Sequence, residues 1–230
     1  MLENFTDKFI STFIEDNRWK YLFNGLGVTL RITVVAALLG IFLGFLVAII
    51  RSTHDKTGKL KFSNFIAQIY LTVIRGTPTV VQLMIIYFVI FSSFNVSKVL
   101  AAVIAFGLNS GAYVAEIVRS GIMSVDKGQS EAGRSLGFNY FQTMIYIIMP
   151  QAFKNVLPAL GNEFIVLLKE TSVSGFIALN DLTKGGDIIR SITYEPFMPL
   201  LAVASVYLVI VMFLSACVAK LERRLRASDH

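Results

Sequence analysis

The sequence predicts an all-α integral membrane protein with about five transmembrane helices, and three observations carry this prediction. Hydrophobic residues make up 55% of the 230-residue chain and charged residues only 16%, whereas soluble domains average roughly 25% charged residues. The charges are also segregated, because five windows contain no Asp, Glu, Lys or Arg: 32–50, 76–97, 99–115, 135–153 and 196–219. These windows hold 17 to 24 residues, close to the roughly 20 that a helix needs to cross a bilayer.

The spans can be placed in order along the chain. We predict them at about 25–50, 63–94, 99–118, 140–168 and 199–218. The second is long enough to hold a break at Pro78, since proline lacks a backbone donor and disfavours helix at the residue before it. Pro150 and Pro158 should kink the fourth. No stretch alternates with a period of two, so we expect helices rather than a barrel to satisfy the backbone in lipid.

Residues 1–24 precede the first span and mix aromatic with charged side chains. The aromatic residues are Phe5, Phe9, Phe13, Trp19 and Tyr21. This mixture predicts a helix that lies in the membrane interface, and the alternative is a mobile polar tail. The segment has no apolar core of the signal-peptide type, so we expect no cleaved leader. We treat 1–230 as a single transmembrane domain.

The distribution of Lys and Arg predicts the orientation. Eleven of them fall in 46 residues of the segments 51–62, 119–139 and 218–230. Seven fall in 62 residues of the segments 1–25, 92–98 and 169–198. Basic loops stay in the cytoplasm, so we expect the amino terminus outside and the carboxyl terminus inside. The net charge of +6 therefore reflects topology, and we expect no nucleic-acid partner.

The chain offers little for a metal or nucleotide site. Its one cysteine, Cys217, lies in an apolar span, and its two histidines, His54 and His230, are far apart, so we predict neither a disulfide nor a metal centre. Gly58-Lys59 lacks the upstream glycine of a P-loop. If this protein depends on ATP, another chain must bind it.

The segment 126–137 encodes a short helix between the third and fourth spans. Asp126 followed by Gln129 fits a capping box, and Gly137 suits a left-handed helix end. Asn139 followed by Gln142 is a second capping pair that would start the fourth span. A rigid surface helix of this kind fits a groove on a partner protein, although an ordinary amphipathic loop helix has the same signature.

The same segment resembles a known signature. Glu131-Ala132-Gly133, then Gly137, Ile147 and Met149-Pro150 are similar to the EAA motif of ATP-binding-cassette (ABC) importer permeases, with Gly133 in place of Ala and Met149 in place of Leu. Gly133 should weaken the helix by up to about 1 kcal/mol relative to alanine. Three further stretches resemble the polar amino acid permeases of that superfamily: Arg75 to Pro78, Asn109 to Tyr113, and Leu168 to Ser172.

This resemblance implies a type I importer permease in a bacterial plasma membrane. It implies a dimer of permeases around the translocation path, formed with a second copy or with a sister permease, and an extracellular or periplasmic solute-binding protein. A separate ATPase would bind ATP and Mg²⁺, so the chain itself needs no cofactor. The helix 126–137 would couple to that ATPase through Asp126, Gln129, Glu131, Ala132, Gly133 and Gly137.

Two acidic residues lie at membrane depth, where an ionisable group is costly and marks a functional candidate. Glu116 has Arg119 one turn away, which favours a structural ion pair. Glu163 has no close partner in the sequence. We predict that it binds a cationic amino acid, arginine first and then lysine or histidine, with Asn162 beside it. The alternative for Glu163 is a salt bridge to Arg75 or Lys154.

Three polar residues within the apolar spans complete the predicted substrate site: Asn109, Thr77 and Gln82. They could equally join helices through hydrogen bonds. Gly40 and Gly44 have the spacing of a close helix contact. A permease for a neutral amino acid such as glutamine, or a secondary transporter, is the alternative function; the latter would show paired repeats. A membrane enzyme would need a nucleophile and base that this sequence lacks.

Overall fold

Helices and the short turns between them make up the residues that the computed structural model describes, 2–226, and no strand occurs among these residues; Met1 and residues 227–230, which include His230, lie outside them. The helices are α1 (Leu2–Phe9), α2 (Trp19–Thr57), α3 (Lys61–Gly76), α4 (Thr79–Ile85), α5 (Lys98–Met123), α6 (Lys127–Ser135), α7 (Tyr140–Thr143), α8 (Met149–Glu170), α9 (Leu182–Thr193) and α10 (Phe197–Arg226). Tighter or wider helical turns continue several of them, at Ile10–Ile14, Glu15–Asn17, Ile86–Ile90, Met144–Ile148 and Thr171–Ile177.

Three of these helices, α2, α5 and α10, are long and apolar enough to cross a membrane. The bent pair of α3 and α4 with the turn Ile86–Ile90 makes a fourth candidate if it is one span. The predicted fourth span, 140–168, corresponds to α7, the turn Met144–Ile148 and α8. It is not among the candidates, and α8 carries Lys154, Glu163, Lys169 and Glu170 within its 22 residues.

The second span breaks where the sequence predicts. α3 ends at Gly76, α4 begins at Thr79, and the two helix directions differ by 111°. Thr77 is extended, as the residue before a proline prefers, and Pro78 precedes the first turn of α4. The break is confirmed, and it turns the chain sharply inside the bundle.

The amino-terminal segment differs from the predicted single helix over 1–24. Asp16 and Asn17 adopt left-handed backbone conformations with φ of 52° and 54°, which interrupts the helix after the turn Ile10–Ile14. The first spanning helix then begins at Trp19 rather than near Gly25. Residues 19–24 therefore belong to α2, and only the part before Asp16 forms a separate helical segment.

The core of the bundle is the contact between α2 and α5. Gly40 lies against the side chain of Ser110, and Gly44 lies against Val114, so a larger residue at either position would force the helices apart. Ile32, Phe106 and Leu83 are fully buried nearby. In contrast, α10 exposes most of its apolar side chains, as expected for a helix that faces lipid.

Candidate functional site

The break between α3 and α4 is held by buried amide side chains. The Gln82 Nε2 group donates to the Ile74 carbonyl at 2.7 Å, to the Thr77 carbonyl at 3.0 Å and to the Thr77 hydroxyl at 2.8 Å. Asn109 Nδ2 from α5 donates to Gln82 Oε1 at 3.2 Å and to Thr79 Oγ1 at 3.3 Å. These bonds replace the backbone bonds that the proline removes. They fix the broken helix against α5.

Three of the predicted substrate residues, Thr77, Gln82 and Asn109, therefore lie together. The amide groups of Gln82 and Asn109 are engaged with each other and with the backbone, and both side chains are buried. This arrangement favours the helix-joining interpretation, since their donors already have acceptors. Thr77 is exposed and stands at the edge of this network.

Glu163 makes no hydrogen bond within that network, but it contacts the residue that follows Asn109 on α5. Its Oε1 accepts a hydrogen bond of 2.9 Å from the hydroxyl of Ser110, the residue after Asn109 at the middle of α5. The predicted alternative is a salt bridge from Glu163 to Arg75 or Lys154. Arg75 approaches Glu116 instead, and among the side chains that the structure describes Glu163 has a hydroxyl partner and no ion pair. Asn162 is exposed beside it.

Ser110 is a residue that the sequence analysis did not single out. It lies within the stretch Asn109 to Tyr113, but a serine in an apolar helix gives no signal of its partner. The contact joins residues 53 positions apart, so only the packing of α5 against α8 reveals it.

Glu116 is surrounded by arginines, and its predicted partner is not the closest. Arg51 from α2 donates to Glu116 Oε1 at 3.0 Å. The Arg119 Nε atom lies at 3.6 Å and the Arg75 guanidinium at 3.9 Å from the same oxygen. Arg75 also lies over the ring of Tyr113, 5.7 Å from its centroid. The predicted Glu116–Arg119 pair is present, but it is one contact of a cluster that joins α2, α3 and α5.

Two cavities flank this arginine cluster, which we define as Arg51, Arg75 and Arg119 around Glu116. One, of about 680 Å³, lies between α5 and α8 and is lined by Glu116, Ser120, Ser124 and Asn155, among others. The other, of about 470 Å³, lies along α3 beside Arg51 and Arg75. Asn155 and Ala159, which line the first cavity, precede Glu163 by two turns and one turn of α8. The first cavity therefore lies on the α6 side of Glu163, and both polar and apolar residues line it.

At the α6 end, the short helix is capped at both termini. The Asp126 carboxylate accepts from the Gly128 N–H at 2.6 Å, while the Gln129 side chain approaches Gln151 at 3.4 Å. The predicted capping box of Asp126 and Gln129 is therefore wrong. Asp126 caps the N–H of the second helical residue, Gly128, and the Gln129 side chain lies against Gln151 of α8 instead of reaching back to Asp126. The second capping box, Asn139 with Gln142, is present in full.

The carboxyl end of α6 stops as predicted. Gly137 has φ of 83°, its N–H bonds to the Arg134 carbonyl, and the Phe138 N–H bonds to the Gly133 carbonyl. This pair of bonds is the Schellman motif that glycine permits. Gly133 is buried against Thr143 and Ile147, which gives a packing reason for glycine at a position where the family motif has alanine. Glu131 and Ala132 are exposed.

The helix α9, outside the spans, carries three charged residues that contact one another. Asp187 accepts hydrogen bonds from Lys184 and Arg190 on the same helix, and these bonds lower the pKa of its carboxyl group below its ordinary value. Asp181 caps the start of α9 through the N–H groups of Thr183 and Lys184.

Comparison with known proteins places this geometry in a family. Residues 40–227 match the family described as binding-protein-dependent transport system inner membrane component. The arginine transport system permease protein ArtQ of Bacillus subtilis (strain 168) is 39% identical over 211 residues, which cover 91% of this chain and 94% of ArtQ. The glutamine transport system permease protein GlnP of Escherichia coli (strain K12) is 38% identical over 208 residues, with 89% and 93% covered.

Solved structures agree with these relatives. The crystal structure of an amino acid ABC transporter with histidines matches with a TM-score of 0.84 and 41% identity, over 92% of this chain and 98% of that one. An inward-facing structure of the MetNI methionine ABC transporter matches with a TM-score of 0.69 at 19% identity, covering 91% of this chain and 96% of that one, and it shows the fold alone. The all-helical type I importer fold predicted from the sequence is confirmed. The chain belongs to the inner membrane component family of binding-protein-dependent transport systems, as a permease of the amino acid ABC transporters.

Proposed function

We propose that this permease carries a basic amino acid, arginine first, and that Glu163 binds the cationic side chain during transit. The observation that carries the proposal is a carboxylate at the middle of the bundle whose contact is a neutral hydroxyl, Ser110. A carboxylate at that depth is costly without a cation, and a guanidinium can bind it with two parallel hydrogen bonds. Asn162, the preceding residue of α8, is exposed and would exchange hydrogen bonds with the polar groups of the substrate.

A neutral substrate is the second candidate. The arginine and glutamine permeases are 39% and 38% identical to this chain, so overall similarity favours neither. The Glu163–Ser110 pair supports the basic substrate, since a neutral side chain amide would leave the half-buried carboxylate without a counter-charge.

The transport assay uses proteoliposomes that contain this chain, its ATPase and its solute-binding protein. We expect ATP-dependent uptake of labelled arginine that excess lysine inhibits and glutamine does not. Glu163→Gln should lower arginine uptake at least about tenfold, because a hydrogen bond to a charged group contributes roughly 1.5–3 kcal/mol. Glu15→Gln, which alters an exposed acid outside the spans, is the matched control and should transport normally.

Each result of this assay has a defined meaning. Unchanged uptake by Glu163→Gln would remove Glu163 from the substrate site. Inhibition by glutamine rather than lysine would support the neutral substrate. Uptake that is indifferent to ATP would favour a secondary transporter.

We also propose that α6 docks on the ATPase, which binds ATP and Mg²⁺, and that it transmits the closure of the ATPase dimer to the bundle. The helix is exposed yet held rigidly by Asp126 at its start and by the Gly137 turn at its end. Glu131→Ala or Gly137→Ala should uncouple ATP hydrolysis from uptake while the permease remains folded. Lys59→Ala, in a neighbouring loop, should leave coupling intact. Loss of expression in the α6 variants would instead indicate a folding role.

We also propose an orientation and an assembly that can be measured. The amino terminus would be outside, with α6 in the cytoplasm, and two copies of the permease would enclose the path. In a Cys217→Ala background, Glu15→Cys should react with an impermeant thiol reagent on intact cells, and Ser130→Cys only after permeabilisation. The reverse pattern would invert the topology. The mass of the purified complex distinguishes two identical permeases from one copy with a sister chain.

A further inference from the structure

The arginine cluster has more positive charge than its own acids neutralise. Three guanidiniums, those of Arg51, Arg75 and Arg119, converge on a single oxygen of Glu116. A further acid, Asp55, lies 3.9 Å from Arg119 and also contacts His54. Three guanidiniums therefore face two carboxylates, so among the described residues the cluster has one more arginine than acidic partners.

Two donors of the cluster have no hydrogen-bond acceptor among the described residues. The Nε atoms of Arg51 and Arg119 are buried and have no hydrogen-bond partner in the described part of the chain. A guanidinium presents five N–H donors in a fixed fork that matches a carboxylate. Buried donors of this kind are costly when unpaired. The unmet requirement of the cluster is an anionic acceptor.

A polar stripe on α3 connects the cluster to open space. Gln68, Thr72 and Arg75 lie at helical spacings of four and three residues, so they share one face, and all three line the cavity of about 470 Å³ with Arg51. The Arg75 side chain is 44% exposed. Polar and charged side chains at the depth of a span face a bundle interior or a water-filled cavity rather than lipid. This face of α3 therefore lines a water-filled space and does not contact lipid.

The cluster stands on the α6 side of the Glu163–Ser110 contact. Glu116 follows Ser110 by six residues of α5, which is about 9 Å along the helix axis. Glu116 also lines the cavity of about 680 Å³ between α5 and α8, together with Asn155 and Ala159 of the helix that carries Glu163. A molecule that moved from Glu163 toward α6 along this side of α5 would reach Glu116 and its arginines next.

We propose that the arginine cluster is a second binding site on the path, which takes the carboxylate of the amino acid through Arg75 and Arg51. This inference rests on the proposed function, because it supposes that an amino acid passes Glu163. Glu163 selects the cationic side chain, and the arginine cluster holds the anionic end as the substrate moves toward the α6 end. An amino acid has both groups, so the two sites together distinguish it from a simple cation.

The test measures equilibrium binding to the complex of this chain with its ATPase, reconstituted without nucleotide in nanodiscs of zwitterionic lipid. The probes are arginine and agmatine, which keeps the guanidinium but lacks the carboxylate. Arg75→Gln should weaken arginine binding about tenfold and leave agmatine binding unchanged, whereas Arg75→Lys should recover arginine binding to within about threefold. Arg31→Gln changes an arginine of α2 away from the cluster and should alter neither.

Glu163→Gln distinguishes this proposal from the proposal that Glu163 binds the cationic side chain. It should weaken the binding of both arginine and agmatine, because both carry the guanidinium. If it weakens neither while Arg75→Gln still weakens only arginine, the cation site fails and the carboxylate site stands. Equal effects of Arg75→Gln on both probes, or no effect on arginine, would overturn the carboxylate site. Failure of arginine to bind a transport-competent complex would do the same. If Arg75→Gln had an effect only in nanodiscs that contain anionic lipid, the cluster would bind a lipid headgroup. That result would also overturn the carboxylate site.

Discussion

Replacing Gly133 by alanine is expected to destabilise the permease, although alanine is the better helix former. A Cβ built at Gly133 would lie 2.8 Å from Thr143 Cγ2, 2.9 Å from Thr143 Oγ1 and 3.0 Å from Ile147 Cδ1. Ile147 can move its terminal methyl group, but Thr143 is buried, branched at Cβ and bonded through its hydroxyl to the Asn139 carbonyl at 3.0 Å. The clash therefore falls on a side chain that cannot rotate freely.

The magnitude follows from two opposing effects. Alanine improves the intrinsic helix preference by up to about 1 kcal/mol, and overpacking a close contact costs roughly 1–3 kcal/mol. We expect a net loss of about 1 kcal/mol for Gly133→Ala. Thr143→Ala should also be destabilising by itself, because it removes a buried hydrogen bond. The double variant should be about 1 kcal/mol more stable than the sum of the single changes predicts, since the clash then disappears.

The assay is thermal unfolding of the purified complex for the wild type, the two single variants and the double variant. The packing argument is supported if the melting temperature of the double variant falls by less than the sum of the decreases in the two single variants. ATP hydrolysis stimulated by the loaded binding protein, measured on the same samples, reports whether displacing α6 from Thr143 weakens coupling. A stabilised Gly133→Ala protein, or strictly additive shifts, would refute the reasoning.

Three further predictions concern the fold. Gly44→Ala should lower thermal stability by roughly 1–3 kcal/mol, because its Cβ would meet Val114 and the Ala115 backbone; Gly27→Ala, which meets nothing within 4 Å, is the control in the same helix and should not be destabilised. Asn139→Ala should cost about 1 kcal/mol through loss of the capping box, and an unshifted melting temperature would contradict this. Asp187→Asn should cost about 0.5 kcal/mol, the magnitude of an exposed ion pair. Because the pKa of folded Asp187 is lowered by Lys184 and Arg190, its contribution is present above the unfolded pKa and lost as the pH falls through the folded one. The stability difference between wild type and variant should therefore vanish in acid, and a difference that persists there would count against the ion pair.

The local features of the fold were predictable because each depends on neighbours in the chain. The apolar windows specify where helices lie in lipid, and Pro78 specifies the break. The stop of α6 at Gly137 and the capping box of Asn139 and Gln142 involve residues within five positions of each other. The errors were local as well: Asp126 bonds to the N–H of Gly128 rather than Gln129, and the turn at Asp16 and Asn17 divides the amino-terminal helix.

The sequence alone was sufficient to identify a membrane bundle, a surface helix between two spans and two acids at membrane depth. It could not determine what those acids contact. Ser110 and Glu163 are 53 residues apart, and Arg51 and Glu116 are 65 apart. Pairing across such distances depends on which faces of α2, α3, α5 and α8 meet, and side-chain spacing within one helix does not contain that information. Only the packed bundle shows that Glu116 pairs with several arginines while Glu163 contacts a hydroxyl, because contacts between helices, and not neighbours in the chain, determine the partner of a half-buried charge.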